Sequence, residues 1–298
     1  MGGGGDVVGA LALTEPLEEM GVEWVLGGVA WERSPIDPRP GPRSLEELHG
    51  GEPCGPAAVL ASGDTVTEDG VALSESRMAA HLGRPVLALD ITRGARATAE
   101  GIRVAAAELG CDRVVMVDVG GDVLAHGDEP GLASPLCDAI MLAAALELGD
   151  ALAAVYGPGC DGELTALEVL QRAGEIGASG ALVGAWSLTP SACELVEEAA
   201  KVVPTEASLQ AARCARGERG TATIRSGRRT VELTPFGAIT FLFDPLLAAE
   251  TAVPLAIAVR PADGIEEARL VLERLGVGTE LDLERARARG ESAAGAPE

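Results

Sequence analysis

Short apolar runs recur along the chain, and most end at glycine, proline or an acid. Pro85–Asp90 (PVLALD), Arg113–Val119 (RVVMVDV), Asp150–Tyr156 (DALAAVY) and Ala181–Ala185 (ALVGA) are continuous runs bounded by turn residues. Strands buried on both faces read this way. Helical stretches alternate with them. Ala95–Leu109 stops at Gly110, Ser134–Leu148 has Ser134 as its N-cap and Pro135 at its first position, and Leu164–Ile176 and Pro190–Val202 follow. This alternation predicts a mainly parallel sheet with helices on both faces, a Rossmann-like three-layer α/β fold.

The flanking regions are less regular. Gly2–Asp6 leads into a helix from Val7 that stops by Gly21, and Glu23–Ala30 reads as a strand. Residues 31–55 form a long, proline-rich irregular loop. Ala57–Leu60 and Thr65–Val71 are short strands before the helix Ser74–Leu82. From Thr205 the texture changes. A helix, Ala207–Arg216, precedes a hairpin (Thr221–Arg225 and Thr230–Leu233) and a strand, Ile239–Phe243. The apolar run Val253–Val259 and the helix Ile265–Arg274 close the chain. The reading is one α/β domain over residues 1–290, with a C-terminal extension at 205–290 and a disordered tail at 291–298.

Composition narrows the function. With 2% aromatic residues in a chain that is 47% hydrophobic, the core is built from Ala, Val and Leu. A net charge of −23 excludes nonspecific binding to nucleic acid, which needs clustered Lys and Arg. One basic cluster, Arg213–Arg229, stands apart, either as a solvated face or to neutralise an acidic neighbour or ligand. The six cysteines form no C-x-x-C pair and read as reduced, buried residues, and the three histidines are isolated, so zinc is poorly supported. No apolar run reaches the roughly 18 residues of a membrane span. The expectation is a soluble cytoplasmic protein without a membrane or nucleic-acid partner, and a homo-oligomer is compatible with it.

Four strand-end loops share one composition, glycine beside carboxylate: Gly2–Asp6, Asp90–Gly94, Asp118–Asp122 and Gly157–Glu163. In open α/β sheets, ligands sit outside the carboxyl ends of the strands. Gly3, Gly4, Gly5, Gly120, Gly121, Gly157 and Gly159 would let backbone N–H groups approach an anion. Asp118 and Asp122 are the expected Mg²⁺ ligands or general base, with His126 as an acid/base group. Asp6, Asp90, Thr92, Arg93, Asp161 and Glu163 complete the expected ligand rim. Ser134 and Asp138, one helical turn apart, can share its pocket, although Ser134 is also explained as a cap. Named motifs fail. There is no Walker A Lys-Ser/Thr, no complete G-x-G-x-x-G, no G-x-S-x-G elbow and no calcium-loop spacing.

Three segments, Gly2–Asp6, VDVGGD (Val117–Asp122) and GPGCDGEL (Gly157–Leu164), resemble the DUF1152 family of archaeal and bacterial proteins over roughly Gly2–Ala258. The resemblance implies an α/β fold and carries no established reaction. It also implies a strand just before the glycine-rich loop. Two readings of Gly2–Asp6 remain: a loop whose strand lies outside this chain, or a flexible tail, with the helix that follows at once favouring the loop. The functional expectation is an enzyme of transfer or hydrolysis acting on a small anionic metabolite, nucleotide-like or phosphorylated, with Mg²⁺ as the cofactor. A noncatalytic metabolite sensor using the same pocket is the alternative, and a purely structural oligomer subunit the third.

Overall fold

The computed structural model describes residues 1–249 and 251–291. Of the expected tail at 291–298, residues 292–298 therefore lie outside the described chain. The first part of the molecule holds α1 (Asp6–Leu11), α2 (Thr14–Glu19) and β1 (Gly27–Val29). The stretch expected to be irregular contains two very short strands, β2 (Leu48–His49) and β3 (Glu52–Pro53). After them come β4 (Ala58–Ala61), β5 (Val66–Thr67), α3 (Ser74–Leu82), β6 (Val86–Leu89) and α4 (Gly94–Glu108). The middle of the chain runs β7 (Val115–Val119), α5 (Pro135–Leu148), β8 (Leu152–Tyr156), α6 (Ala166–Ala178), β9 (Leu182–Ser187) and α7 (Pro190–Ala199). The C-terminal part adds α8 (Ala207–Ala215), β10 (Gly220–Ile224), β11 (Arg229–Leu233) and β12 (Ile239–Phe243). Four helices follow: α9 (Pro245–Ala248), α10 (Pro254–Val259), α11 (Ile265–Arg274) and α12 (Glu280–Ala288).

The sheets are small and mixed, which corrects the expectation of a mainly parallel one. One has the order β1-β6-β4-β3 and another β7-β8-β12-β9. Only β1–β6 and β7–β8 are parallel pairs within them. Strand β12 inserts between β8 and β9 and runs antiparallel to both. Its sequence explains the position: ITFLF has no charged residue, and four of its five positions are buried. That profile suits a strand covered on both faces, whereas every residue of β9 keeps some exposure at the sheet edge.

Side chains alternate across these strands, as the pleat requires. Met116 of β7, Ala153 and Val155 of β8, and Phe241 and Phe243 of β12 join one core with α4, α5 and α10. Val117, Val119, Ala154, Tyr156 and Leu242 join a second core with α1, α7 and α8. Helix α5 lies at the centre of the first core, with every residue from Pro135 to Leu146 buried. Asp138 is the one charged residue in that buried run, so its carboxyl group needs a reason to be there. Among the described residues all six cysteines are free, and all but Cys111 are buried. No described helix is long and apolar enough to cross a membrane.

Candidate functional site

Strand β7 carries Asp118 toward its carboxyl end, paired with Val155 of β8. The chain then turns through Gly120 and Gly121, both at positive φ (117° and 109°). The first of these must be glycine twice over. L side chains rarely adopt that backbone conformation, and a Cβ there would lie 2.2 Å from Cγ of Asp161. The Gly121 N–H donates to Asp118 Oδ2 at 2.8 Å, and the Gly159 N–H donates to the Gly120 carbonyl at 2.7 Å. The second bond ties the loop after β7 to the loop after β8, which presents Asp161 and Glu163. Asp138 enters from the first turn of α5 and Asp6 from the first turn of α1.

Six carboxylates thus meet in two groups, Asp6–Asp118–Asp138 and Asp122–Asp161–Glu163. Within each group, one oxygen per residue lies within 4.8 Å of the others. All but Asp6 are buried. Among the described residues two cations reach them. The Met1 amine is 3.4 Å from Asp6 Oδ2 and also donates to the Val117 carbonyl, and Arg229 Nη1 is 3.4 Å from Glu163 Oε1. Arg229 is the member of the basic cluster that neutralises an acidic neighbour. Arg213 and Arg216 instead pair with Glu218 and Glu197 at the surface.

The charge imbalance shows in the proton affinities. Burial, then the Asp6 charge, pushes Asp118 up to about 7. Burial with the charges of Asp138 and Glu163 holds Asp122 well above the usual carboxylate range. Asp138 is raised by burial and by Asp118, and Asp161 by burial and by Glu163. Asp138 Oδ1 and Asp161 Oδ1 are fully buried without a hydrogen-bond partner. An unsatisfied buried polar atom costs about 1–3 kcal/mol, more when charged. Orphaned oxygens on members of a carboxylate cluster suit a hard divalent cation such as Mg²⁺, Mn²⁺ or Ca²⁺, which takes oxygen ligands.

The two groups do not have the same donor capacity. Glu163 is occupied: Oε2 accepts from the Ala133 and Ser134 N–H groups (2.8 and 2.9 Å), and Oε1 accepts from Ser134 Oγ at 2.6 Å. Asp118 has one oxygen on Gly121, and Asp138 keeps Oδ1 entirely free. The expected metal pair, Asp118 and Asp122, joins the two groups, its side chains hydrogen-bonding across them, with Asp6 and Asp138 as the further partners of Asp118.

Other expected site residues fall elsewhere. Ser134 stands at the N-cap of α5 with Pro135 at its first position, as expected, but its side chain makes no cap hydrogen bond. Its hydroxyl joins Glu163 and lies 3.4 Å from Asp122 Oδ2. The α5 N-terminus is capped from a distant part of the chain by Glu280, which accepts from the Leu136 and Cys137 N–H groups (3.0 and 2.8 Å). Nothing local in the α5 sequence signals that cap. His126 does not reach the cluster; its Nε2 is 3.3 Å from Glu175 of α6. Asp90 is consumed by structure, accepting from Thr92 N and Oγ1 (2.7 and 2.6 Å) and Leu45 N (3.1 Å), while Arg93 is exposed. Gly3 lies against the Trp31 carbonyl, Gly4 (φ 62°) faces Glu32 and Ser74, and Gly5 packs on Thr205. Gly157 packs on Ala211. An open concavity of about 620 Å³ lies apart between Glu18, Trp24 and Arg84 and holds none of the six carboxylates.

The family described as protein of unknown function (DUF1152) matches residues 1–288. The chain belongs to DUF1152. No curated protein and no solved structure matches it. In this DUF1152 protein the three segments Gly2–Asp6, Val117–Asp122 and Gly157–Leu164, far apart in sequence, converge: they supply Asp6, Asp118 and Asp122, and Asp161 and Glu163.

Proposed function

We propose that this protein is a divalent-cation-dependent enzyme, with Mg²⁺ the first choice, that carries out transfer or hydrolysis on a phosphorylated or nucleotide-like anionic metabolite. The observation that carries the reading is the pair of orphaned, buried oxygens of Asp138 and Asp161 inside a six-carboxylate cluster. Asp6, Asp118 and Asp138 are the residues that would hold the cation. A bound divalent cation there would neutralise the cluster and polarise a phosphoryl oxygen. Asp122, raised by burial and its neighbours and placed beside the Ser134 hydroxyl, is the group suited to hold and return a proton.

The placement of the cluster supports a Rossmann-like reading of the sheets as two halves of one layer. Gly3 bridges to Val29 of β1 in parallel, while the Met1 amine bonds the carbonyl of Val117 in β7, so the N-terminal segment spans both edge strands. Ligands of such layers sit at the carboxyl ends of the strands, where these carboxylates are.

The second reading, a noncatalytic metabolite-binding module, is favoured by enclosure: Asp118, Asp122, Asp138, Asp161 and Glu163 are 5% exposed or less. A thermal-shift screen of a metabolite library, run with and without Mg²⁺, tests both. Under the enzyme reading a phosphorylated compound raises the melting temperature only with the metal and is turned over. The Asp122→Asn variant then loses turnover while staying folded. Ligand recovered unaltered after long incubation supports the binding module instead, and no shift with any compound, with or without Mg²⁺, overturns both.

A further inference from the structure

Glu32 and Glu75 form a second pair of buried carboxyl groups, outside the six-carboxylate cluster. Glu75 is 1% exposed, and neither of its oxygens has a hydrogen-bond partner. Its side chain lies flat on Gly28 of β1, where a Cβ would come 2.1 Å from Oε1. Glu32, 2% exposed, accepts a hydrogen bond from the Ser74 N–H at the start of α3. Burial and then the Glu32 charge push Glu75 well up, which favours its protonated form. A Cβ on Gly4 would lie 3.8 Å from Glu32 Oε2 and 3.9 Å from Ser74 Oγ, which puts the glycine-rich turn against this pair. The N-terminal segment thus bridges to β1, which Glu32 follows, and bonds the Val117 carbonyl beside Asp118 in β7.

We infer that Glu32, Ser74 and Glu75 form a subsite for a vicinal diol, which makes the metabolite a ribose-type phosphate. The inference rests on the metal-dependent reading of the Asp118 side and adds what the other end of the ligand is. A phosphate is repelled from the Glu32 side, so the anion belongs with the cation at Asp118. A protonated carboxyl donates and accepts, an ionised one accepts, and a serine hydroxyl does both, which is the complement of two adjacent hydroxyls. Glu75 is delivered by α3. Its unpartnered burial lowers stability in the free protein and is relieved when a hydroxyl arrives.

The test measures binding of inorganic phosphate, ribose 5-phosphate, ATP and 2′,3′-dideoxy-ATP by calorimetry with Mg²⁺ present. The wild type binds ribose 5-phosphate at least tenfold more tightly than phosphate, and ATP at least tenfold more tightly than its dideoxy analogue. Whichever of ribose 5-phosphate and ATP binds more tightly tells a sugar phosphate from a nucleotide. Glu75→Met removes both oxygens at similar volume; it erases these ratios, keeps phosphate binding and raises the melting temperature of the free protein. Glu32→Gln weakens the diol-bearing ligands without affecting phosphate. Equal affinity for phosphate and ribose 5-phosphate, or unchanged ratios in Glu75→Met, overturns the diol assignment and leaves the metal site standing. Absence of any Mg²⁺-dependent binding overturns the metal reading and this inference together.

Discussion

Replacing Asp118 with Asn separates the cost of the carboxylate cluster from its use. Folding raises the Asp118 carboxyl from its ordinary value near 3.8 to about 7. The native state therefore keeps a proton that the unfolded chain releases, and stability falls as pH rises between those two values. Three pKa units at about 1.4 kcal/mol each give roughly 4 kcal/mol lost by pH 8. About half of that falls between pH 5.5 and 8, the range that stays clear of the isoelectric point near 4.5. Asparagine keeps an oxygen for the Gly121 N–H and has nothing to ionise. In metal-free buffer the variant should thus gain on the wild type as pH rises, by about 2 kcal/mol from pH 5.5 to 8. That corresponds to roughly 3 °C in melting temperature for a chain of 298 residues. It is an upper figure, because Asp118 and Asp122 interact directly and losing one charge lets the other ionise more readily. Calorimetric melts of both proteins across that range, with chelator present, read the difference directly. A variant that is less stable than the wild type by the same amount at every pH would refute the reasoning.

Four further outcomes follow from the same geometry. Gly120→Ala should cost several kcal/mol and remove Mg²⁺-dependent stabilisation, because its methyl group displaces Asp161 and its backbone is at φ 117°; chemical denaturation with and without Mg²⁺ checks this. Arg229→Gln strips the guanidinium from buried Glu163 and should destabilise by about 3 kcal/mol, read by urea unfolding. Glu280→Gln should lower stability by about 1–2 kcal/mol through the weakened α5 cap and the lost Arg33 pairing, leaving metal affinity within a factor of two. His126→Ala should leave metal-dependent stabilisation unchanged, since His126 faces Glu175; loss of that stabilisation would place it in the site after all.

Much of the element order was legible because local signals set it. The ends of α3 and α11 fall where periodicity and glycines place them, and the buried runs at β7 and β12 are strands. Sheet order was not legible: the antiparallel insertion of β12 depends on which strand is apolar enough to sit at the centre, a comparison between distant segments. Helix α12 escaped notice because its sequence, ELDLERARA, is mostly charged. It is held by Glu284 accepting from the Trp31 indole and the Gly41 N–H. The carboxylates were visible as strand-end loops, yet their division into two groups was not. That division follows from Asp138 reaching Asp118, and from the hydroxyl of the N-cap Ser134 turning to Glu163 rather than to the α5 backbone.

The central claim is that the Asp118 group holds a divalent cation, and a calorimetric titration of metal-free protein with Mg²⁺ and Mn²⁺ tests it most directly. The account predicts saturable binding that tightens from pH 6 to pH 8, with protons released to the buffer as carboxyl groups give way to the metal. It also predicts loss of that binding in Asp138→Asn, whose fold persists. No saturable binding of either ion at millimolar concentration, or binding unaffected by Asp138→Asn, would contradict it.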